Sequence, residues 1–419
     1  HLPCDIIRMA VETAFKCPDP MINFCKTEVT KMLDYDFICK VEEANLYKRF
    51  LPYSIGNPAR HKTHDDFYDR ANFVFFSDSH IDFMNSDACM DNLKRTIAFS
   101  NESPIVFDAV INAGDAITPF SLQDKTLPLT YFKQFFDEAK KSRSPFLFAK
   151  GNHDMNCWWN KPENVITDSD YSNLFYWFSE ENYGTVHQTK ANGFRSTWNY
   201  YDVEKQKIRI VCVDVQDIDK TTTNEKGEVK YFGTDGRVYI SNEQMNWIAN
   251  VALNFDDKAE KDWGVIMVGH YFKESHPDFE NAGEKLLDLC VAFNNGDTYK
   301  HTYKHETNSF FDLDVDADYT RYKNLDKKPH MICWLLGHVH DDIHEIKKGI
   351  HLIYIRNASS SERSGDARVV RIPGTVTQNA FDIVNIDTRT RKIRMFRYGA
   401  GVNCYGEGGD RFLPDGLSY

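Results

Sequence analysis

The chain has 419 residues, 42% hydrophobic and 27% charged, the composition of an ordinary globular protein rather than of a disordered one. Its 50 basic and 62 acidic residues leave a net charge of −12, which argues against a general binder of nucleic acid or anionic membranes. No apolar stretch approaches the roughly 20 residues of a membrane-spanning helix, so no membrane span is expected.

Residues 1–68 are irregular, broken by Pro at "CPDP", "LPY" and "NPAR", with one helix expected around 21–34. They are read as an N-terminal extension packed on the main domain. Cys4, Cys17, Cys25 and Cys39 cluster here and would pair in an oxidising compartment. Cys212 and Cys333 instead lie in apolar runs, where a free thiol behaves as a small hydrophobe. With no CxxC pair among the ten cysteines, the reading is of reduced thiols and a cytoplasmic enzyme.

From residue 71 short β-rich runs alternate with helical segments. The runs are "NFVFF" (72–76), "FDAVINA" (107–113), "FLFAK" (146–150), "IRIVCVDV" (208–215), "GVIMVG" (264–269), "HMICWLLG" (330–337), "HLIYIR" (351–356), "FDIVNI" (381–386) and "KIRMFRYG" (392–399). Several lack polar alternation, as strands buried on both faces do. Amphipathic segments lie at 87–99 and 129–141, and a third begins at Ser241 with Gln244 in capping-box spacing. The order strand–helix–strand–helix–strand predicts an α/β fold. The last three strands, with little helix between them, predict an antiparallel finish. Residues 69–402 are expected to form the main domain, with 274–329 an insertion and 403–419 a tail.

Five of the runs end alike. "NFVFF" closes in Ser77-Asp78-Ser79-His80, "FDAVINA" in Gly114-Asp115, and "FLFAK" in Gly151-Asn152-His153-Asp154. "GVIMV" closes in Gly269-His270 and "CWLL" in Gly337-His338-Val339-His340. In α/β sheets the loops beyond the C-terminal strand ends converge on ligands. Glycine at the corner lets the backbone turn and approach a shared centre. Asp-x-His and His-x-His are expected to set both side chains on one side of an extended backbone. Singly each corner means little, since Gly-Asp is usually a turn and a lone His an ordinary hydrogen-bonded residue. Together they offer Asp78, His80, Asp115, Asn152, His270, His338 and His340, too many ligands for one tetrahedral ion and a sensible number for two. Imidazole with carboxylate favours Zn, Mn or Fe over Ca or Mg.

The ordered series "SDSH", "GDAIT", "GNHD", "GH" and "GHVH" resembles the calcineurin-like metallophosphoesterase superfamily over roughly residues 70–400. The resemblance implies a four-layer αββα sandwich of two mixed β-sheets with a dinuclear site at one edge. It implies that Asp78, His80 and His340 bind one metal ion, that Asn152, His270 and His338 bind the other, and that Asp115 bridges them. His153 would face the substrate and serve the leaving oxygen, with Asp154 holding its other ring nitrogen. A hydroxide shared by the two ions would attack phosphorus. Thr118 stands where purple acid phosphatases have Tyr, and the "GDxxDRG" form of Ser/Thr protein phosphatases is missing. "GNHD" with "GHVH" looks more like the phosphodiesterase and small-molecule phosphatase branches.

Other features carry weaker signals. His340 and His344 have metalloprotease spacing, but Asp341 replaces the Glu base and the segment reads as a strand hairpin. Trp158 and Trp159 follow the "GNHD" corner, where aromatics can stack a nucleobase, although packing is their commoner use. Arg356 and Arg363 could reach a phosphate or lie in a surface loop. The expected function is a dinuclear phosphoesterase acting on a small phosphodiester or phosphomonoester, not on extended nucleic acid. The alternatives are a nucleotidase or nuclease of the same fold, or a binding scaffold without catalysis.

Overall fold

The computed structural model of the protein describes residues 35–54, 70–81, 86–118, 124–231, 238–272, 282–360, 371–401 and 409–419. Its plan follows from strands whose two faces are both apolar. In β1 (Arg70–Phe76), Ala71, Phe73 and Phe75 turn to one side and Val74 and Phe76 to the other, and all are buried. Such a strand needs a covering layer on each side.

The first sheet has the order β15-β14-β13-β1-β2-β3, where β2 is Ala109–Asn112, β3 Phe146–Phe148, β13 Ala380–Asp387, β14 Lys392–Gly399 and β15 Leu417–Ser418. Strands β1, β2 and β3 run parallel, and the C-terminal strands add on antiparallel. The second sheet has the order β11-β12-β10-β7-β6-β5-β4. It comprises β4 (Val186–Thr189), β5 (Arg195–Val203), β6 (Ile208–Cys212), β7 (Gly264–Val268), β10 (His330–Leu336), β11 (His344–Lys347) and β12 (Ile350–Tyr354). Its centre, β6, β7, β10 and β12, is parallel, and its edges are antiparallel. A separate hairpin pairs β8 (Thr298–Tyr303) with β9 (Leu313–Asp318).

Three apolar layers make this a four-layer αββα sandwich. Between the sheets, Phe73, Phe75 and Ile111 meet Ile210, Cys212, Ile266 and Leu335. Outside the first sheet, Val74, Phe76 and Val110 lie under α1 (Tyr35–Ser54), α2 (Ser86–Glu102) and α3 (Thr126–Ala139), which contribute Phe50, Leu93 and Phe136. Outside the second, Val211, Met267 and Trp334 lie under α4 (Asn242–Trp247) and α5 (Ala282–Asn295), through Met245, Leu286 and Phe293. Full burial of such side chains stabilises by roughly 1.5–3 kcal/mol each, and so accounts for why both sheets are covered.

Some expectations shift. The helix expected around 21–34 and Cys4, Cys17 and Cys25 lie outside the described residues, while Cys39 is buried with a free thiol. The N-terminal helix that is described, α1, packs on β14, β13 and β1. The antiparallel finish holds for β13 and β14 only. β12 lies in the other sheet, parallel to β10. Strands β4 and β5 pass unnoticed in the sequence, since Thr, His, Asn and Asp interrupt their apolar character. Among the described residues no helix is long and apolar enough to cross a membrane.

Candidate metal centre

The five corners sit at the C-terminal ends of β1, β2, β3, β7 and β10, which belong to the parallel parts of the two sheets. They are stitched by backbone bonds: Asp78 N–H donates to Gly114 O (2.8 Å), His80 N–H to Asp115 O (3.0 Å) and Gly337 N–H to His270 O (2.8 Å). Leaving the ladder this way bends the chain. Asp78, His80, Asp115, His338 and His340 all have left-handed backbones, with φ between 49° and 69°. The extended backbone expected for the two i, i+2 pairs is therefore replaced by a kinked one that still brings both side chains together. Left-handed non-glycine residues are uncommon and gather at functional sites.

The glycines show why the corners can pack so tightly. A Cβ on Gly151 would run into the Asp115 carboxylate, and one on Gly337 into the Ser77 hydroxyl and the Asp78 carboxylate.

Three groups of donor atoms result, each lying within 4.8 Å of one another: Asp78, His80 and His340; Asp115, His270 and His338; and His80, Asp115 and His153. His340 Nε2 is 3.3 Å from Asp78 Oδ1 and 2.9 Å from His80 Nε2. His270 Nε2 is 3.0 Å from Asp115 Oδ2, and His338 Nδ1 is 3.0 Å from Asn152 Oδ1. All seven sequence-predicted ligands thus converge, and His153 stands with them, its Nε2 3.8 Å from Asp115 Oδ2.

Outer contacts aim these side chains. His270 Nδ1 must donate to the carbonyl of Ala113 (2.7 Å), which turns Nε2 toward the carboxylates. Thr118 Oγ1 holds His80 Nδ1 at 2.5 Å and turns its Nε2 inward in the same way. Asp78 Oδ2 accepts the His338 N–H (2.9 Å), and Asp115 Oδ1 the His153 N–H (2.8 Å). Asp78 Oδ1, His270 Nε2 and Asn152 Nδ2 are buried without a hydrogen bond. Buried polar atoms are rarely left so, and two of these lie where a cation would be expected.

The electrostatics agree. Burial disfavours charge on Asp78, but the imidazoles of His270 and His340 overcome it and hold the carboxyl well below its usual range. Asp115 behaves alike, depressed by His270 and His153 against the pull of burial. Burial would lower His270, yet Asp115 and Asp78 outweigh it and push the imidazole up to about 9. His153 and His338 are lowered by burial to about 3 and about 4, so both rings are neutral near pH 7. Two anionic carboxylates, the neutral rings of His153 and His338, and a His270 proton that a cation would displace form a donor set that fits a divalent ion.

Asp154 departs from expectation. Its carboxylate does not hold the His153 ring; it accepts the N–H groups of Asp115 (2.9 Å), Gly151 (2.8 Å) and Ile117 (3.3 Å). The side chain points under the Gly114–Asp115 corner, because the turn after Asn152 sends residues 153 and 154 to opposite sides. Burial, then repulsion from Asp115, raises it to about 7.

Sequence reasoning also missed supports. Lys150 Nζ is paired with Asp214 Oδ2 at 2.5 Å, both buried, tying the end of β3 to the end of β6. Gln244 takes the backbone N–H of Asp214 and donates to its carbonyl, both at 2.9 Å, instead of closing a capping box. The signal was present, as "IRIVCVDV" is another apolar run with an embedded Asp. Arg356 binds Asp341 and Asp342 and is buried, and Arg363 lies outside the described residues.

The four-layer sandwich thus carries, at its strand ends, carboxylates and imidazoles grouped so that they could hold metal ions. Residues 71–342, well over half the chain, match the model of the calcineurin-like phosphoesterase family, and the protein belongs to that family. Among curated proteins no sequence matches it. Solved structures of similar outline include the protein TT1561 of Thermus thermophilus, at 10% identity and TM-score 0.34, covering 78% of this chain and 97% of that one. A novel archaeal phosphodiesterase aligns at 9% identity and TM-score 0.30, over 78% and 99% of the two chains. The phosphopantetheinyl hydrolase PptH of Mycobacterium tuberculosis aligns at 13% and 0.31, over 69% and 90%. None of the three is close enough to bear on substrate.

Proposed function

We propose that the protein is a dinuclear-metal phosphoesterase hydrolysing a phosphodiester or a small phosphomonoester. The observation that carries this reading is three donor clusters linked by shared residues, His80 joining the cluster of Asp78 to that of His153, and Asp115 joining the cluster of His153 to that of His270. Asp78, His80 and His340 would hold one ion, Asn152, His270 and His338 the other, with Asp115 between them. Manganese, iron and zinc all suit these ligands. Two such ions, when bound, polarise a phosphoryl oxygen and make hydroxide available near neutral pH.

The chain's own part is positioning. Because Asp115 Oδ1 holds the backbone of His153, the carboxylate and the ring are fixed relative to each other. The His153 ring faces the same space as the ligands, and being neutral it can donate an N–H hydrogen bond to a departing oxygen. Asp154 acts one step back, holding the Asp115 corner through three backbone N–H groups. The retained ligand set disfavours a binding scaffold.

The same reading assigns residues 69–402 to the catalytic domain, with 274–329 inserted and 1–68 and 403–419 appended. It places the enzyme in the cytoplasm, acting on a small ester and not on extended nucleic acid. The test is metal stoichiometry together with hydrolysis of bis(4-nitrophenyl) phosphate and 4-nitrophenyl phosphate by manganese-loaded protein. Two ions per chain and turnover of either ester are expected, with the preferred ester deciding between diesterase and monoesterase. His153→Ala should keep both ions and lose about 10²–10⁴-fold in kcat. Protein that binds no metal and cleaves neither ester would end the proposal.

A further inference from the structure

Strand β6, the neighbour of β7, ends in Asp214-Val215-Gln216-Asp217 and supplies none of the candidate ligands. Its three polar side chains are buried all the same. Buried polar groups are costly unless bonded, so their partners show what they serve. Asp217 accepts the N–H of Ser241 (3.2 Å) at the start of α4. Asp214 pairs with Lys150 and accepts the N–H of Gln216 (2.8 Å). The Gln216 amide then donates to the carbonyl of Val215 (3.1 Å) and to the hydroxyl of Tyr271.

Tyr271 directly follows the candidate ligand His270 and is 2% exposed. Its ring lies against that of His338, centroids 4.5 Å apart at 38°. It also lines a small apolar pocket, together with Val213, Val215, Met267 and Trp334. A ring that borders empty space is not fixed by packing alone, so the bond between its hydroxyl and Gln216 helps to set its position. His338 is itself only partly buried. Its Nδ1 stands 3.0 Å from Asn152 Oδ1, near the separation that two ligand atoms keep around one ion. The contacts close a circuit. Lys150 lies two residues before Asn152, and Asp214, Gln216, Tyr271 and His338 lead from Lys150 back to Asn152.

Given the dinuclear reading proposed above, we infer that Gln216 and Tyr271 are positioning residues for His338. Gln216 holds the Tyr271 ring, and that ring holds the His338 imidazole at the angle from which it shares an ion with Asn152. The brace serves the ion of Asn152, His270 and His338 and not that of Asp78, His80 and His340, because its contacts lead to the first set. It acts through His338 and touches no substrate. Outer partners of this kind are worth about 10–100-fold in metal affinity.

The experiment titrates metal-free wild type, Tyr271→Phe, Tyr271→Leu and Gln216→Met with cobalt(II) and follows the visible bands, which report the geometry around each ion. His338→Ala identifies which of the two ions belongs to that ligand. Tyr271→Leu should weaken the same ion about tenfold and alter its bands, with the other ion bound as in wild type. Tyr271→Phe keeps the ring and should restore most of the loss. Gln216→Met breaks the same hydrogen bond from its other end, so it should match Tyr271→Phe, and the double variant should be no weaker than either. Met267→Ala, in the wall of the same pocket, should lower stability to denaturant and leave both cobalt affinities unchanged. An equal weakening by Met267→Ala, a loss shared by both ions, or unchanged binding in Tyr271→Leu overturns the brace. If Tyr271→Leu does not fold, Tyr271→Phe, Gln216→Met and their double variant decide it, and additive losses overturn it. Wild type that binds two cobalt ions and hydrolyses no ester counts against the phosphoesterase reading alone, whereas wild type that binds none ends both.

Discussion

The two sheets contribute different things to the centre. The first sheet supplies both carboxylates, Asp78 and Asp115, on corners knitted to one another by backbone bonds and braced beneath by Asp154. The second supplies only imidazoles, His270, His338 and His340, each reaching across the gap. His270 is anchored on Ala113 and the His338 backbone on Asp78, both belonging to first-sheet corners. One half is a rigid anionic floor and the other a set of imidazole arms hooked onto it. The centre is therefore complete only while the sheets keep their spacing, and the apolar layer between them is part of the site.

Asp115 is where this comparison is most easily broken, because both halves touch it. Asp115→Asn should reduce metal binding in both positions and lower turnover by well over the roughly 10²-fold that losing an outer partner of a ligand brings. His270→Ala removes one arm only, so it should leave one ion per chain bound. Metal analysis of the two variants side by side checks the asymmetry; equal losses would mean that the floor and the arms are not distinct.

A smaller but still large effect is expected from the tie between the sheets. Lys150→Met leaves Asp214 buried without its cation, and removing one partner of a buried pair typically costs about 3–5 kcal/mol. Denaturant unfolding of the metal-free protein would show it. Adding Asp214→Asn should recover part of the loss, because an amide oxygen can still serve either the Thr197 hydroxyl or the Gln216 N–H that the carboxylate accepts now. No recovery would mean that the pair acts through packing and not through charge.

The same contrast explains what could be read beforehand. The corners were legible because each is a run of apolar residues that ends abruptly in a ligand, as at "FLFAKGNHD", and the order of five such ends is distinctive. Burial of both strand faces made the α/β character equally plain. Asp154 was misjudged because a motif names neighbours in sequence, whereas the turn places its carboxylate under Asp115. Lys150 and Asp214 were not matched to each other because the contact joins two sheets, and no local pattern reports which strand ends face one another. The left-handed backbones at Asp78 and His340 also leave no trace, since neither residue type is glycine.

Thr118 offers the finest test of how the floor aims its own single imidazole. His80 is the one first-sheet histidine among the seven candidate ligands, and its Nδ1 is held by the Thr118 hydroxyl rather than by a carbonyl as in His270. A hydroxyl can donate or accept, so it constrains the tautomer less than a carbonyl does. Thr118→Val keeps the shape and removes the hydroxyl, and should weaken the ion at Asp78, His80 and His340 by about tenfold, the lower end for an outer partner. The ion at His270 and His338 should bind as before. Stepwise metal titration resolves the two affinities; a drop shared by both would show that the halves communicate through Asp115 strongly enough to titrate as one unit.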